Sequence, residues 1–85
     1  MTIYELADLL NKQLIITYYP NQGNRFTAKI EGAEVKEDEV LASYYGNGNS
    51  PEEAISNYLE GIQGQTLVFN AFSENRQEYR IPDNV

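Results

Sequence analysis

Residues 44–64, YYGNGNSPEEAISNYLEGIQG, decide the fold of this chain. The two tyrosines are typical of a strand, and the GNGN at 46–49 predicts a tight turn. Ser50 and Glu53 form a capping-box pattern, and Pro51 stands at the first helical position, where its missing amide costs nothing. An apolar face at helical spacing and two glycines that weaken and end the helix follow: Ile55, Tyr58, Leu59, Ile62, Gly61 and Gly64. The stretch therefore predicts strand, turn, amphipathic helix and stop.

A second capping box opens the chain. Thr2 is followed three residues later by Glu5, and apolar residues recur at helical spacing, which predicts a helix from about Ile3 to Lys12. The run LIITYY at 14–19 is rich in β-branched and aromatic residues and predicts a first strand, ended by Pro20 and a turn-prone NQGN.

Two further strands are predicted before the second helix. Residues 25–30 alternate apolar and polar side chains, and Gly32 indicates a bend or bulge before 34–37 resume. The KEDE at 36–39 predicts a solvated turn, and VLASYY at 40–45 predicts a third strand. The three strands would form an antiparallel meander.

The end of the chain predicts one or two more strands. TLVFNAF at 66–72 predicts a fourth strand, SENR at 73–76 a turn, and QEYRI at 77–81 a fifth strand closed by Pro82. We expect a single α+β domain over residues 1–82, with an antiparallel sheet and two helices packed on one face, and a loose tail at 83–85.

The composition disfavours catalysis. Among 85 residues there is no Cys and no His, so disulfides, thiolate zinc sites, cysteine nucleophiles and histidine proton shuttles are excluded. No Ser has an obvious partner base. We expect no enzymatic activity, no cofactor and no metal. Since no apolar run approaches the roughly 20 residues of a membrane helix, we also expect a soluble cytoplasmic protein that does not bind membranes.

The charge is strongly acidic, with 13 Asp and Glu against 6 Lys and Arg and a net charge of −7. Direct nucleic-acid binding is not expected, because such affinity comes chiefly from cations on phosphates. The acidity has two interpretations: it provides solubility and mutual repulsion, or it attracts a partner protein with a basic surface.

Acidic residues and tyrosines are the candidates for partner contact. Adjacent strand residues point to opposite faces, so one tyrosine of each neighbouring pair, 18–19 and 44–45, should be exposed. Exposed Tyr beside acidic side chains suits protein recognition. The alternative is that the acidic run is only a solvated hairpin tip, and a cation site there is weak because consecutive carboxylates in a hairpin diverge. The partner-binding candidates are Glu34, Glu37, Asp38, Glu39, Tyr44 and Tyr45.

A small-ligand site is an alternative at the turn before the second helix. Glycine-rich turns at helix starts can hold a phosphate, with arginines as countercharge. Two acidic residues on the first turn, Glu52 and Glu53, would repel such an anion. The residues of this alternative, which would make the protein a nucleotide-binding sponge, are Gly46, Gly48, Ser50, Arg25 and Arg76.

SPEEAISNYLEGI after YYGNG, within residues 26–63, resembles HicB-like proteins, in which a strand pair leads to a helix that begins T-x-E-E-A. That resemblance implies a fold akin to the double-stranded-RNA-binding domain. It also implies an antitoxin or regulatory module that neutralises a basic toxin and associates as a homodimer. The family's usual turn after the strand is replaced here by EGAEVKED at 31–38.

KIEGAEVKEDEVLASYYGNGNSPEEAISNYLEGIQGQTLVFNA, followed by NRQEYRIP, is similar to small uncharacterised proteins of phages and prophages of Gram-positive bacteria. This resemblance implies a nonenzymatic accessory protein that binds and modulates or inhibits a host protein with a basic surface. Anti-CRISPR proteins, which occupy the nucleic-acid channel of a defence nuclease, are one such class.

Overall fold

The structure, a computed structural model, describes residues 2–83, which contain two α-helices, seven strands and a short 3-10 helix at Pro20–Gln22. The helices are α1 (Ile3–Leu9) and α2 (Pro51–Ile62). The strands are β1 (Leu14–Tyr19), β2 (Arg25–Ile30), β3 (Glu34–Glu37), β4 (Val40–Ala42), β5 (Gly46–Gly48), β6 (Thr66–Phe69) and β7 (Gln77–Arg80). The α+β class expected from the sequence is confirmed.

The strands form two antiparallel sheets rather than one. The first has the order β1-β2-β5, and the second has the order β4-β3-β6-β7. The chain passes between them at Gly32, whose φ of 76° lies in the left-handed region that interrupts a strand. The bend predicted at Gly32 is therefore present, but it divides the predicted meander, since β2 pairs with β1 while β3 pairs with β4 and β6.

The predicted turn GNGN is instead a strand, and this corrects the sequence interpretation. The predicted third strand ends at Ala42, and Gly46–Gly48 form β5, in which Gly46 pairs with Ala28 and Gly48 with Phe26. Both glycines lie directly under α2. A Cβ on Gly48 would be 2.6 Å from the Ala54 nitrogen, and one on Gly46 would collide with the backbone of the same helix. Only glycine lets this strand approach the helix so closely.

The first helix begins where predicted and ends early. Thr2 and Glu5 form both hydrogen bonds of the capping box, at 3.1 and 2.9 Å. The helix stops at Leu9 rather than Lys12 because Asn11 takes a left-handed φ of 55°. The Lys12 nitrogen then donates to the Ala7 carbonyl at 2.9 Å, the bond that closes a Schellman motif.

The core lies between α2 and the sheets. Tyr58 and Ile62 of the predicted apolar stripe are fully buried, while Ile55 and Leu59 pack against the core from its border. Burial raises the pKa of Tyr58, and a hydrogen bond with the backbone of Ile30 opposes that rise only in part. α2 also buries Ala54, and α1 buries Ile3, Leu6 and Ala7. The other buried apolar side chains come from the strands and the connections that border them: Ala28, Ile30, Ala33, Val35, Leu67, Val68, Phe69 and Ile81.

The C-terminal hairpin follows the prediction with shorter strands. The fourth predicted strand ends at Phe69 rather than at residue 72, and the last ends at Arg80. Beyond Asp83 the predicted loose tail lies outside the described residues. No helix within residues 2–83 combines the length and apolarity that crossing a bilayer requires.

Candidate protein-binding surface

The structure distributes the six predicted partner-binding residues over the β3–β4 hairpin and the segment that leads from it to β5. Glu34 and Glu39 line one cavity. Glu37 and Tyr44 line a different, smaller one. Four of the six residues are therefore divided between two cavities.

The tip of the β3–β4 hairpin is exposed and acidic. Glu37 pairs with Val40, which leaves Asp38 and Glu39 as a two-residue loop. Asp38 has a φ of 54°, a conformation that Asp tolerates better than most residues. Among residues 2–83, no group of three or more His, Cys, Asp or Glu is arranged so that it could hold a metal ion.

The larger cavity, of about 470 Å³, lies between this hairpin and the loop that joins β6 to β7. We call it the Phe72 cavity. It is lined by Glu34, Lys36, Glu39, Val40, Leu41, Phe72 and Arg76. Phe72 is 99% exposed and Val40 is 65% exposed. Two bare apolar side chains thus stand beside two of the predicted acidic residues.

Phe72 is exposed on a loop that is tied down by its own hydrogen bonds. The Ser73 nitrogen donates to the Asn70 carbonyl at 3.0 Å, and the Asn75 nitrogen donates to Ser73 Oγ at 3.1 Å. Arg76 Nη1 donates to the Ala71 carbonyl at 3.3 Å. A full aromatic ring held in water by an ordered loop is a large apolar area already arranged for contact.

The two cations in the wall of the Phe72 cavity are paired with a third acidic residue. Arg76 Nη2 lies 2.9 Å and Lys36 Nζ 3.3 Å from the carboxylate of Glu78. Hydrogen bonds from Arg76, and secondarily from Lys36, hold the pKa of Glu78 below its usual range. Glu34 and Glu39 take part in no ion pair within the described residues.

The tyrosines confirm the predicted exposure and show which members are committed to packing. Tyr45 is exposed, whereas Tyr44 stacks on Tyr58 at 5.8 Å between ring centroids and donates its hydroxyl to the Asn57 carbonyl at 3.3 Å. Tyr18 and Tyr19 are both exposed, because β1 is an edge strand. Tyr44 therefore belongs to the framework of the surface rather than to its contact area.

Sequence reasoning missed Phe72. The run TLVFNAF at 66–72 predicts a fourth strand that includes this residue. The strand stops at Phe69, and Asn70 takes a φ of 55°, which turns the chain outward. Asn is among the residues that favour this conformation, and that is the one signal that could have placed Phe72 in a loop.

The residues of the alternative ligand site serve the framework or lie on different sheets. Gly46 and Gly48 are buried under α2, and Ser50 Oγ accepts a hydrogen bond from the Glu53 nitrogen at 3.1 Å. Arg25 belongs to β2 of the first sheet, with its guanidinium 5.7 Å from the centre of the Tyr19 ring, whereas Arg76 precedes β7 in the second sheet.

Comparisons with protein-family models, with curated proteins and with solved structures found no match to this chain.

Proposed function

We propose that this protein is a nonenzymatic binding protein that modulates or inhibits a host protein by docking on its basic surface. The observation that supports this function is the position of bare apolar groups beside carboxylates that form no ion pair with any cation of residues 2–83. In the Phe72 cavity, Phe72 and Val40 are exposed beside Glu34 and Glu39.

This combination suits the side chains of Lys and Arg. Their methylene stems cover apolar surface while the charged end stays among polar groups. A partner cation could lie over the Phe72 ring, an arrangement worth about 0.5–2 kcal/mol, with Glu34 and Glu39 accepting its hydrogen bonds. Arg is also among the residues most enriched at interface hot spots.

The rest of the molecule would act by steering. A net charge of −7 raises the rate at which a basic partner is encountered, and the exposed tip residues Glu37 and Asp38 extend the acidic surface beyond the cavity. Proteins that process nucleic acids present such basic surfaces. The resemblance to phage accessory proteins points to a bacterial protein of this kind, such as a defence nuclease.

The test is affinity capture from a lysate of the suspected bacterial host at low salt, with a stepwise salt wash. The wild-type protein is compared with E34K/E39K and with D8K/E60K, which changes the net charge by the same amount on the two helices. Asp8 and Glu60 are exposed and lie in the last turns of their helices. The positive charge of a Lys at these positions interacts favourably with the negative end of the helix dipole.

We expect wild type and D8K/E60K to capture the same basic protein and to release it at moderate salt. We expect E34K/E39K not to capture that protein. Equal loss from both variants would show that only net charge acts and would overturn the assignment to the Phe72 cavity. A small basic toxin as the captured protein would favour the antitoxin alternative, and recovery of no partner would overturn the proposal.

A further inference from the structure

The outer edge of β1 is the least protected strand edge in the described residues. The four edge strands of the two sheets are β1, β5, β4 and β7. β4 and β5 have three residues each, and β7 carries Glu78 and Arg80. β1 has six residues, LIITYY, with no charge and no proline. Short length and charge are the usual means by which proteins keep an edge from pairing, and β1 has neither.

The side chains of β1 are exposed on both faces of the sheet. Ile16 pairs with Ala28, which is fully buried, yet Ile16 is 42% exposed. Tyr18 is 50% exposed on the same face, where it stacks on Phe26 at 4.8 Å and donates its hydroxyl to Asn24 Oδ1 at 2.7 Å. Ile15 and Tyr19 are exposed on the opposite face. β1 therefore has apolar side chains on both faces, as is typical of a central strand, although it lies at the edge of its sheet.

We propose that two copies of the chain dimerise by antiparallel pairing of their β1 strands, with Thr17 opposite Thr17 on the two-fold axis. This axis is perpendicular to the sheet, so the same face of both copies lies on the same side of the joined sheet. Odd-numbered residues therefore oppose odd-numbered residues, and even-numbered residues oppose even-numbered ones. Ile16 then opposes Tyr18 on one face, and Ile15 opposes Tyr19 on the other. Pairs of a β-branched and an aromatic residue are favourable cross-strand neighbours. All four exposed apolar side chains of the strand are used, which makes the edge complementary to itself.

Local charge at the β1 edge does not oppose a second copy, although the chain as a whole is acidic. Residues 13–24 contain no charged side chain, so the two strands that meet bring none to the axis. Lys29 and Arg25 pair with Ile15 and Tyr19 from β2. In the dimer the cations of opposite copies lie three strand spacings apart, roughly 14 Å, which exceeds the screening length of about 8–10 Å at ordinary salt.

The contact is small, so the dimer should be reversible. A six-residue strand is about 20 Å long, and the strip it covers is well below the roughly 800 Å² per partner of a standard interface. We expect a dissociation constant on the order of 10–1,000 µM. The paired strands would form one six-stranded sheet, β5-β2-β1 continuing into the same strands of the second copy.

A charge-swap experiment tests both the partner and the register. Sedimentation equilibrium of T17E and of T17K should each show monomer, because like charges oppose on the axis and raise the dissociation constant at least about tenfold. An equimolar mixture of the two should restore the dimer. Circular dichroism melting shows whether each variant is folded. Wild type that stays monomeric up to about 1 mM, or a mixture that fails to associate although both variants are folded, overturns the proposal.

A cysteine cross-link provides an independent readout, since the chain has no Cys of its own. Opposed residues of antiparallel strands have Cα atoms about 4.5–5.5 Å apart, within the range that a disulfide spans. T17C should therefore form a covalent dimer on mild oxidation, whereas S56C, on the exposed side of α2, should not. Equal cross-linking of the two variants would contradict pairing at Thr17.

Discussion

At the scale of single residues, the two glycines of β5 are required by a close contact with α2 that the sequence does not reveal. Gly46 and Gly48 allow the strand to lie against the backbone of α2, where a Cβ has no room. We predict that G46A and G48A each lower the free energy of unfolding by about 2–4 kcal/mol, because the clash is with backbone atoms that cannot rotate away. Urea denaturation measures this loss.

Gly23 is the matched control. It lies in a turn with a φ of 73°, and no atom lies within 4 Å of the position of an added Cβ. G23N places there a residue that tolerates the left-handed conformation, and its free energy of unfolding should stay within about 0.5 kcal/mol of wild type. A loss in G23N as large as in G46A would contradict the explanation by helix contact.

Tyr58 gives the molecule a sensitivity to alkali. Burial raises its pKa above the ordinary value of about 10. Between the pKa of the unfolded chain and that of the folded protein, the folded state binds more protons, so stability present below about pH 10 is lost as pH rises. We predict that Y58F is less stable than wild type at pH 7, by about 1 kcal/mol for the lost hydrogen bond. The difference should shrink at pH 11, as urea denaturation at both pH values would show. A constant difference would contradict this role of the hydroxyl.

The contrast between Ser50 and the glycines shows which residue roles a sequence discloses. A cap is local: Ser50, Pro51 and Glu53 have the same meaning in any fold, and the helix begins where they predict. The GNG of β5 depends on α2, which packs across it, and in sequence it has the composition of a turn. Local sequence preferences do not indicate which elements pack closely against each other, so the prediction of a turn was wrong.

At the scale of elements, the β3–β4 hairpin is built to tolerate changes of charge. Its tip residues Glu37, Asp38 and Glu39 are exposed and make no ion pair within the described residues. We predict that E37K/D38N/E39K weakens retention of the basic partner strongly and changes the melting temperature by less than about 3 °C. Asn replaces Asp38 because its φ of 54° would strain a Lys.

The melting temperature is the control for this hairpin variant. A large fall would mean that the tip has a structural role, and the binding result would then say nothing about contact. Unchanged retention together with an unchanged melting temperature would exclude Glu37, Asp38 and Glu39 from the interface. Glu34 would then be the one predicted acidic residue of the Phe72 cavity left to test.

The elements also differ in how far their pairing could be foreseen. The bounds of β1 and β2 are those predicted, since β-branched content and alternation are local signals. The division into two sheets was not foreseen, because the pairing of β3 with β6 joins residues that are 30 to 34 positions apart in the chain. The Phe72 cavity depends on that pairing, which brings the β6–β7 loop beside the hairpin. Its acidic wall was therefore predicted and its aromatic wall was not.

At the scale of the whole molecule, the net charge of −7 acts in opposite directions on the two proposed surfaces. A basic partner is attracted by the field of the protein, and salt screens that attraction. A second copy of the same acidic chain is repelled, and salt screens that repulsion instead. The uncharged β1 edge contributes association that depends little on salt, since it is apolar and formed by backbone pairing.

We therefore predict opposite salt dependences for the two complexes. Between about 0.02 and 0.5 M NaCl the screening length falls severalfold, so the partner complex should weaken by at least about tenfold while the homodimer strengthens. Sedimentation equilibrium measures the homodimer, and binding isotherms with the captured partner measure the other complex, with T17E as the control that leaves the Phe72 cavity intact. If T17E binds the partner as wild type does at both salt concentrations, the two surfaces are independent. A homodimer that weakens in salt would mean that charged groups, rather than the β1 edge, hold the copies together.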